Sequence, residues 1–279
     1  MSGFSAAWLA LREPADRRAR NAEIAGALRA RFAGHDAIAV IDLGCGTGAN
    51  LRATAPYLAP RQRWRLVDHD AGLLAAARER LVQWADSSEP AGETLRLSKG
   101  ACRLEVSFAE ADLAADLERV LADPADLVTA AALFDLVSIA WIEHFARIVV
   151  GGHAAFYTAL TYNGVDAWQP PHAADGAVLA AFHAHQQRDK GFGAAAGPAA
   201  TDALVRDFLA LGYEVRTGDS PWRLGGDEAE LIRELANGIG AAVRETGQLA
   251  EEQIAGWLAA RASGASCTIG HSDVLALPR

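Results

Sequence analysis

The stretch Ala39-Val-Ile-Asp-Leu-Gly-Cys-Gly-Thr-Gly-Ala49 joins a short apolar segment to three glycines in alternate positions. An apolar run that ends in glycine is typical of a buried β-strand followed by a loop. Glycine has no side chain to keep a ligand away from the backbone, and it reaches positive φ without strain. Helical spacing resumes at Ala49, so the loop also begins a helix, whose first N–H groups have no partner within the helix. The sequence therefore predicts a strand, loop and helix that together bind a nucleotide-like cofactor.

Two kinds of cofactor fit this loop. Gly44-x-Gly46-x-x-Ala49 loosely satisfies the dinucleotide fingerprint, in which the loop binds a pyrophosphate. Asp42, at the end of the strand, would repel a pyrophosphate, whereas it suits a ligand that carries an ammonium and a sulfonium. S-adenosylmethionine is such a ligand. We therefore favour S-adenosylmethionine, and a nucleotide-dependent dehydrogenase is the second hypothesis.

The same residues resemble the first motif of the class I S-adenosylmethionine-dependent methyltransferases. That motif reads hydrophobic, Asp or Glu, then x-Gly-x-Gly-x-Gly, and Ile41-Asp42-Leu43-Gly44-Cys45-Gly46-Thr47-Gly48 matches it throughout. The resemblance covers about residues 38–277. It implies an α/β fold with a doubly wound, Rossmann-like sheet of seven strands in the order 3-2-1-4-5-7-6, strand 7 antiparallel, and helices on both faces. It also implies methyl transfer from S-adenosylmethionine.

A second signal lies one strand and helix further along the chain. Trp64-Arg-Leu-Val-Asp-His-Asp70 is a short apolar strand that ends in an acid. Asp68 follows Gly44 at close to the roughly 20-residue offset at which an acid reaches ribose hydroxyls in nucleotide-binding folds. A turn former or a helix cap is the alternative interpretation of Asp68. We expect Asp68, followed by His69, to bind the cofactor, and Asp70 to cap the next helix.

The third signal is Val106-Ser-Phe-Ala-Glu-Ala-Asp-Leu113. It resembles the family segment after the third strand, in which an Asp and the apolar residue after it contact the adenine, and Asp112 and Leu113 match. Asp112 is also suited to cap a helix over 113–121, and the two roles are compatible.

The N-terminal region mixes apolar residues with arginines. Since family N-terminal helices often close over the cofactor, we expect Arg12 or Arg20 to bind the methionine carboxylate or an acidic acceptor; a solvated helix face is the alternative. With the motif residues, the predicted cofactor-binding set comprises Asp42, Gly44, Cys45, Gly46, Gly48, Asn50, Asp68, His69, Asp112, Leu113, Thr129 and Arg20.

Composition limits the class of protein. The chain has 279 residues, 51% of them hydrophobic, which is enough to bury a sizeable core. A net charge of −9 argues against a nucleic-acid partner, since such binding rests on clustered Lys and Arg. Cys45, Cys102 and Cys267 are too scattered for a disulfide framework or a structural zinc site, and no stretch reaches the roughly 18 apolar residues of a membrane span. We expect a cytoplasmic protein without a metal or a membrane partner; its oligomeric state stays open.

The alternation of apolar and helical segments predicts a mainly parallel sheet. Strands are expected at about 38–42, 64–68, 103–107, 126–130, 153–160, 213–217 and 266–275. We expect a single methyltransferase domain over 1–279, with an N-terminal helical cap at 1–34 and a helical insertion at 223–264 between strands 6 and 7. A further insertion at 162–199 has Gly and Pro at both ends and internal aromatic residues, so we interpret it as a lid that forms the acceptor pocket; an ordinary surface excursion is the alternative.

Catalysis needs little from the protein beyond positioning, because the methyl group of a sulfonium is already activated. A base is needed only if the acceptor arrives protonated. His185 and Asp189 are expected at i and i+4 on one helix face, where the carboxylate would orient the imidazole; His183 would point elsewhere. A solvated polar face is the alternative interpretation of this pair. Tyr162, at the end of the fifth strand, is a further catalytic candidate.

The leading hypothesis is a methyltransferase that acts on an O or N nucleophile of a small molecule. The segment after the fourth strand, Thr129-Ala-Ala-Ala-Leu-Phe134, lacks the Asn/Asp-Pro-Pro-Tyr pattern of enzymes that methylate base and amide nitrogens. A noncatalytic protein that binds S-adenosylmethionine is the third hypothesis. The sequence leaves the acceptor open.

Overall fold

The computed structural model describes residues 4–262 and 264–279, so residues 1–3 of the predicted N-terminal cap and residue 263 of the predicted helical insertion lie outside the described residues. The α-helices are α1 (Ala6–Ala19), α2 (Ala22–Arg31), α3 (Ala49–Thr54), α4 (Ala71–Trp84), α5 (Leu117–Val120), α6 (Ile139–Gly151), α7 (Asp175–Gln186), α8 (Ala200–Ala210), α9 (Ala229–Thr246) and α10 (Glu251–Ala259). The strands are β1 (Ala37–Leu43), β2 (Arg61–Asp68), β3 (Ser87–Ala91), β4 (Thr94–Lys99), β5 (Cys102–Glu110), β6 (Leu127–Ala131), β7 (Ala155–Gln169), β8 (Glu214–Asp219), β9 (Trp222–Leu224) and β10 (Ser266–Leu277).

Local sequence signals explain where several helices begin. Asp70 accepts hydrogen bonds from the N–H groups of Gly72 (2.7 Å) and Leu73 (3.1 Å), so it caps α4 as predicted. Ser138 caps α6 in the same way, through the N–H group of Trp141 at 3.2 Å. Gly48 precedes α3 with φ of +76°, a conformation that favours glycine.

The strands form one mixed sheet, in agreement with the predicted α/β class. Its order is β3-β4-β5-β2-β1-β6-β7-β10-β8, and β9 pairs with β10. The predicted count of seven strands is wrong, and the complete order differs from the predicted one, because β3 and β4 extend one edge and β9 is added beside β10. β10 is antiparallel to both β7 and β8.

Helices cover both faces of this sheet. Successive residues of β1 face opposite sides of the sheet and belong to different cores. Ile41 packs with α6 and α8, whereas Val40 packs with α2 and α4. A strand that is buried on both faces carries apolar residues at successive positions, which is why the run before Gly44 is almost continuous.

A third core lies beside the sheet and joins the predicted N-terminal cap to both predicted insertions. It contains Ala15 of α1, Val178 of α7, Ile239 of α9 and Trp257 of α10. The predicted insertion boundary at residue 162 falls inside a strand, since β7 continues to Gln169 and pairs with β10 along most of its length. Within the described residues, no helix combines the length and the apolarity that a membrane crossing requires.

Candidate cofactor site

The glycine loop follows β1 and has the backbone that the sequence predicts. Gly44, Gly46 and Gly48 have φ of +60°, +52° and +76°. Two hydrogen bonds fix the loop to the end of β2: Cys45 N–H donates to the Val67 carbonyl at 2.9 Å, and Gly46 N–H donates to Asp68 Oδ2 at 2.8 Å. The end of β2 therefore fixes the position of the loop.

A cavity of about 330 Å³ lies at the carboxyl ends of the parallel strands, under α1. Ligands bind at this edge in open α/β sheets. Eight of the residues predicted from the motifs line the cavity together: Gly44, Cys45, Gly46, Asn50, Asp68, His69, Asp112 and Leu113. The three sequence signals, which are far apart in the chain, thus meet at one site.

Asp42 and Thr129 lie behind the cavity wall rather than on it. Asn50 Nδ2 donates to Asp42 Oδ1 at 2.6 Å and lies 3.1 Å from Thr129 Oγ1. Both Asp42 and Thr129 are fully buried, and among the described residues Asp42 Oδ2 has no hydrogen-bond partner. Burial raises the pKa of Asp42 to about 7, against the opposing effects of Asn50 and Arg20. Asp42 therefore acts on the cavity through Asn50.

Arg20 belongs to the same polar network. Its guanidinium donates to Asn50 Oδ1 at 2.8 Å and to Thr54 Oγ1 at 3.1 Å. It lines a second cleft, which adjoins the cavity at Asn50.

Asp68 and Asp112 differ in exposure. Asp68 is 4% exposed, and its other carboxylate oxygen accepts from Asp70 N–H at 3.1 Å. Asp112 is exposed and accepts from Ala114 N–H at 2.9 Å. The predicted helix over 113–121 is wrong, because a turn follows Asp112 and the helix itself is limited to Leu117–Val120. Asp112 thus caps a turn through Oδ1, and the same residue lines the cavity.

The predicted pairing of His185 with Asp189 does not form. α7 ends at Gln186, so Asp189 lies beyond the helix, where its carboxylate accepts from Gly191 N–H (2.7 Å) and Gly193 N–H (2.9 Å). His185 Nε2 instead lies 3.0 Å from Oε2 of Glu245 on α9. Neither side chain lines the cavity.

The histidine that meets a predicted catalytic residue is His183, contrary to the expectation that it points elsewhere. Tyr162 Oη lies 3.0 Å from His183 Nε2. Burial raises the pKa of Tyr162 and lowers the pKa of His183. This pair is also outside the cavity lining, and it joins β7 to α7.

Three further residues line the cavity. Arg12 of α1 was a sequence candidate beside Arg20, Phe192 belongs to the predicted lid and lies in the loop that Asp189 holds, and Leu9 of α1 was missed by sequence reasoning. Arg12 pairs with Asp16 through two hydrogen bonds (2.9 and 3.1 Å) and lies 5.0 Å from the Trp222 ring. The spacing of residues 9, 12 and 16 on one helix face was the available signal.

A buried carboxylate next to the cavity was missed as well. Asp135 follows β6 between Leu133 and Leu136, which line the cavity. Burial raises its pKa to about 6, and among the described residues its Oδ1 has no hydrogen-bond partner. No periodic pattern of apolar residues marks this position, since Asp135 lies in a single 3₁₀ turn.

Solved structures of other proteins share this architecture. A cyclopropane-fatty-acyl-phospholipid synthase-like protein from Lactobacillus casei matches with a TM-score of 0.54 and 13% identity, over 96% of this chain and 99% of that chain. The chain therefore shares the α/β fold of this solved structure. A SAM-dependent methyltransferase from Geobacter sulfurreducens, in complex with S-adenosyl-L-homocysteine, has a TM-score of 0.45 and 15% identity over the whole of both chains. No protein-family model matches the sequence, and no curated protein matches it.

Proposed function

We propose that the protein binds S-adenosylmethionine in the cavity under α1 and transfers its methyl group to an O or N nucleophile of a small molecule. The observation that supports this most is the convergence of the glycine loop, Asp68 and the Asp112–Leu113 pair on one cavity. Each of these came from a separate motif in the sequence, and the parallel pairing of β1, β2 and β5 brings their carboxyl ends to the same edge of the sheet.

The residues present fit this cofactor. A Cβ at Gly46 would lie 2.9 Å from Leu9 Cδ1, so glycine at this position keeps the space between the loop and α1 free of a further side chain. Asp68 and His69 are assigned to the ribose, Asp112 and Leu113 to the adenine, and Asn50, backed by Asp42, Thr129 and Arg20, to the amino-acid end. The bound cofactor supplies an electrophilic methyl group on a sulfonium.

The role of the chain in catalysis is then to orient the acceptor and to exclude water. α1, within the predicted cap, covers the cavity through Leu9 and Arg12, and the loop of the predicted 162–199 insertion covers it through Gly191 and Phe192. We include in the proposal that the chain forms a single domain, of which these two covering segments are parts. In place of the catalytic roles expected for His185, Asp189 and Tyr162, Asp189 holds the covering loop, and Tyr162 with His183 joins β7 to α7.

Binding measurements test the proposal directly. S-adenosylhomocysteine should raise the melting temperature of the protein, by a stabilisation of roughly 2.7 kcal/mol at 100 times its dissociation constant. Asp68→Ala should weaken that binding by about 1.5–3 kcal/mol, because Asp68 also orients the Gly46 N–H group. Asp219→Ala is the matched control, since Asp219 also ends a strand but its side chain is exposed. Stabilisation by NAD alone, or equal affinities in the two variants, would refute the assignment.

A further inference from the structure

A second cleft of about 300 Å³ lies under the C-terminal half of α1, next to the cofactor cavity. The two spaces share four lining residues: Asp16, Ala49, Asn50 and Ala131. A molecule in the cleft therefore reaches the cavity past Asn50.

One face of α1 covers both spaces. Leu9, Arg12 and Asp16 line the cavity, whereas Glu13, Asp16, Arg17 and Arg20 line the cleft. Positions 13, 16, 17 and 20 follow the spacing of one helical face. The floor of the cleft comes from α3 and α4, with Arg52, Arg80, Gln83 and Trp84.

The cleft carries more positive than negative charge, in a chain whose net charge is −9. Glu13 neutralises Arg52 through two hydrogen bonds (2.9 and 2.7 Å), and Asp16 is paired with Arg12. Over residues 4–262 and 264–279, Arg17, Arg20 and Arg80 have no carboxylate within 4.0 Å. Among the described residues, three guanidinium groups thus line the cleft without a carboxylate in direct contact.

Arg20 adds a second indication of a ligand. Its Nε is buried and has no hydrogen-bond partner among the described residues, and the rest of its guanidinium is bonded to neutral oxygens. A guanidinium is planar and offers paired donors that match the oxygens of a carboxylate or a phosphate. Its charge, held beside two further arginines, favours an oxyanion over water.

We propose that this cleft binds the anionic group, a carboxylate or a phosphate, of the methyl acceptor. The inference rests on the proposed function, since it places the acceptor beside the methyl donor. Arg17 and Arg80 bind the anion at the outer end of the cleft. Arg20, at the junction with Asn50, orients the anion toward the cavity.

The test uses the intact protein saturated with S-adenosylhomocysteine, titrated with inorganic phosphate and, separately, with succinate by calorimetry. Arg17→Gln and Arg80→Gln should each weaken binding of the preferred anion about tenfold, the equivalent of one charge-assisted hydrogen bond. Arg233→Gln should leave it unchanged, because Arg233 is an exposed arginine on α9, away from the cleft. The stronger of the two anions identifies the class of acceptor.

Three results would overturn the proposal. The wild-type protein could bind neither anion at tens of millimolar, or both arginine variants could bind the anions as the wild type does. The variants could instead lose S-adenosylhomocysteine while they keep 5′-methylthioadenosine, which lacks the amino-acid carboxylate; the arginines would then serve the cofactor. Failure of the proposed function is distinct, since it appears as a wild-type protein that does not bind S-adenosylhomocysteine at all.

Discussion

At the scale of single residues, Asp42 carries the most unusual environment of the site. It is fully buried, Asn50 is its hydrogen-bond donor, and its pKa is raised from 3.8 to about 7. The folded protein therefore holds a proton on Asp42 over a pH range in which the unfolded chain has released it. The contribution of this group to stability is present below pH 4 and is lost as the pH rises through 7.

Asp42→Asn removes this titration while it keeps an oxygen that accepts from Asn50. We expect the free energy of unfolding of the wild type to fall relative to that of the variant between pH 4 and pH 8, by up to about 4 kcal/mol at roughly 1.4 kcal/mol per pKa unit. Urea denaturation of both proteins across this range measures the difference. Parallel pH profiles would show that Asp42 titrates normally.

Gly46 allows a second prediction at this scale. Gly46→Ala places a side chain at φ of +52° and within 2.9 Å of Leu9 Cδ1. Gly92→Ala is the control, because Gly92 has a similar φ of +64° and nothing within 4 Å of its added Cβ. Both variants should lose about 1–2 kcal/mol of stability to backbone strain, but only Gly46→Ala should lose affinity for S-adenosylhomocysteine in calorimetry. Equal affinity in the two variants would place the cofactor elsewhere.

The sequence predicts the cavity residues that belong to local motifs, and it misses the relations between distant residues. Asp42 was identified from the motif, but its position behind Asn50 depends on how α3 packs on β6. The interaction of Tyr162 with His183 depends likewise on where α7 lies against β7. Such relations are set by tertiary packing and leave no pattern in the local sequence.

At the scale of elements, the loop 189–193 shows how an exposed carboxylate positions part of the cavity wall. Asp189 accepts two backbone N–H groups, and the loop that it shapes presents Phe192 to the cavity and to the Trp141 ring, whose centroid is 5.5 Å away. Ala195, just after the loop, pairs with Ser138. Asp189 therefore acts on the cavity without touching it.

Asp189→Ala should release this loop and raise the dissociation rate of S-adenosylhomocysteine roughly fivefold, the equivalent of about 1 kcal/mol. His185→Ala should change that rate little, since it removes only the interaction with Glu245, whose side chain is 63% exposed. Stopped-flow displacement measures both rates. A larger effect of His185→Ala would restore the predicted role of that histidine.

The elements that the sequence missed have identifiable reasons. The hairpin of β3 and β4 begins with Ser87-Ser-Glu-Pro-Ala91, which is polar and carries no alternating apolar pattern. Its strands form because β5 offers a free edge, to which β4 pairs in antiparallel register. The central strands were predicted well, because burial on both faces produces apolar runs that need no context.

At the scale of the whole molecule, Asp273 connects the N-terminal region to the strands β7 and β10. This buried residue of β10 accepts from Leu160 N–H on β7 and from Asn21 N–H, both at 2.9 Å. Leu160 has φ of +61°, so the bond also holds a strained position of β7. One carboxylate thus joins β7, β10 and the segment between α1 and α2.

Asp273→Ala should lower the free energy of unfolding by about 3–5 kcal/mol, because it leaves the buried Leu160 N–H group and the partly buried Asn21 N–H group without an acceptor. Asp273→Asn, which keeps one accepting oxygen, should lose less. Chemical denaturation of the two variants, with Asp219→Ala as an exposed control, measures the effect. A loss in Asp273→Ala no greater than in the control would show that other groups satisfy these donors.

The helix α1 covers both the cofactor cavity and the cleft beside it, and this affects how fast ligands leave. α1 is fastened at its middle by Glu13 to Arg52 (2.7 Å) and by Asp16 to the Trp222 indole N–H (3.0 Å), and near its end by Arg18 to Glu228. A ligand in either space leaves past α1. When both spaces are filled, each ligand contacts α1 and the residues opposite it, so we expect each ligand to lengthen the residence time of the other. Salt screens the exposed part of these ion pairs, so release should become faster as ionic strength rises. For the proposed methyl transfer we therefore expect the departure of products, rather than chemistry, to limit turnover.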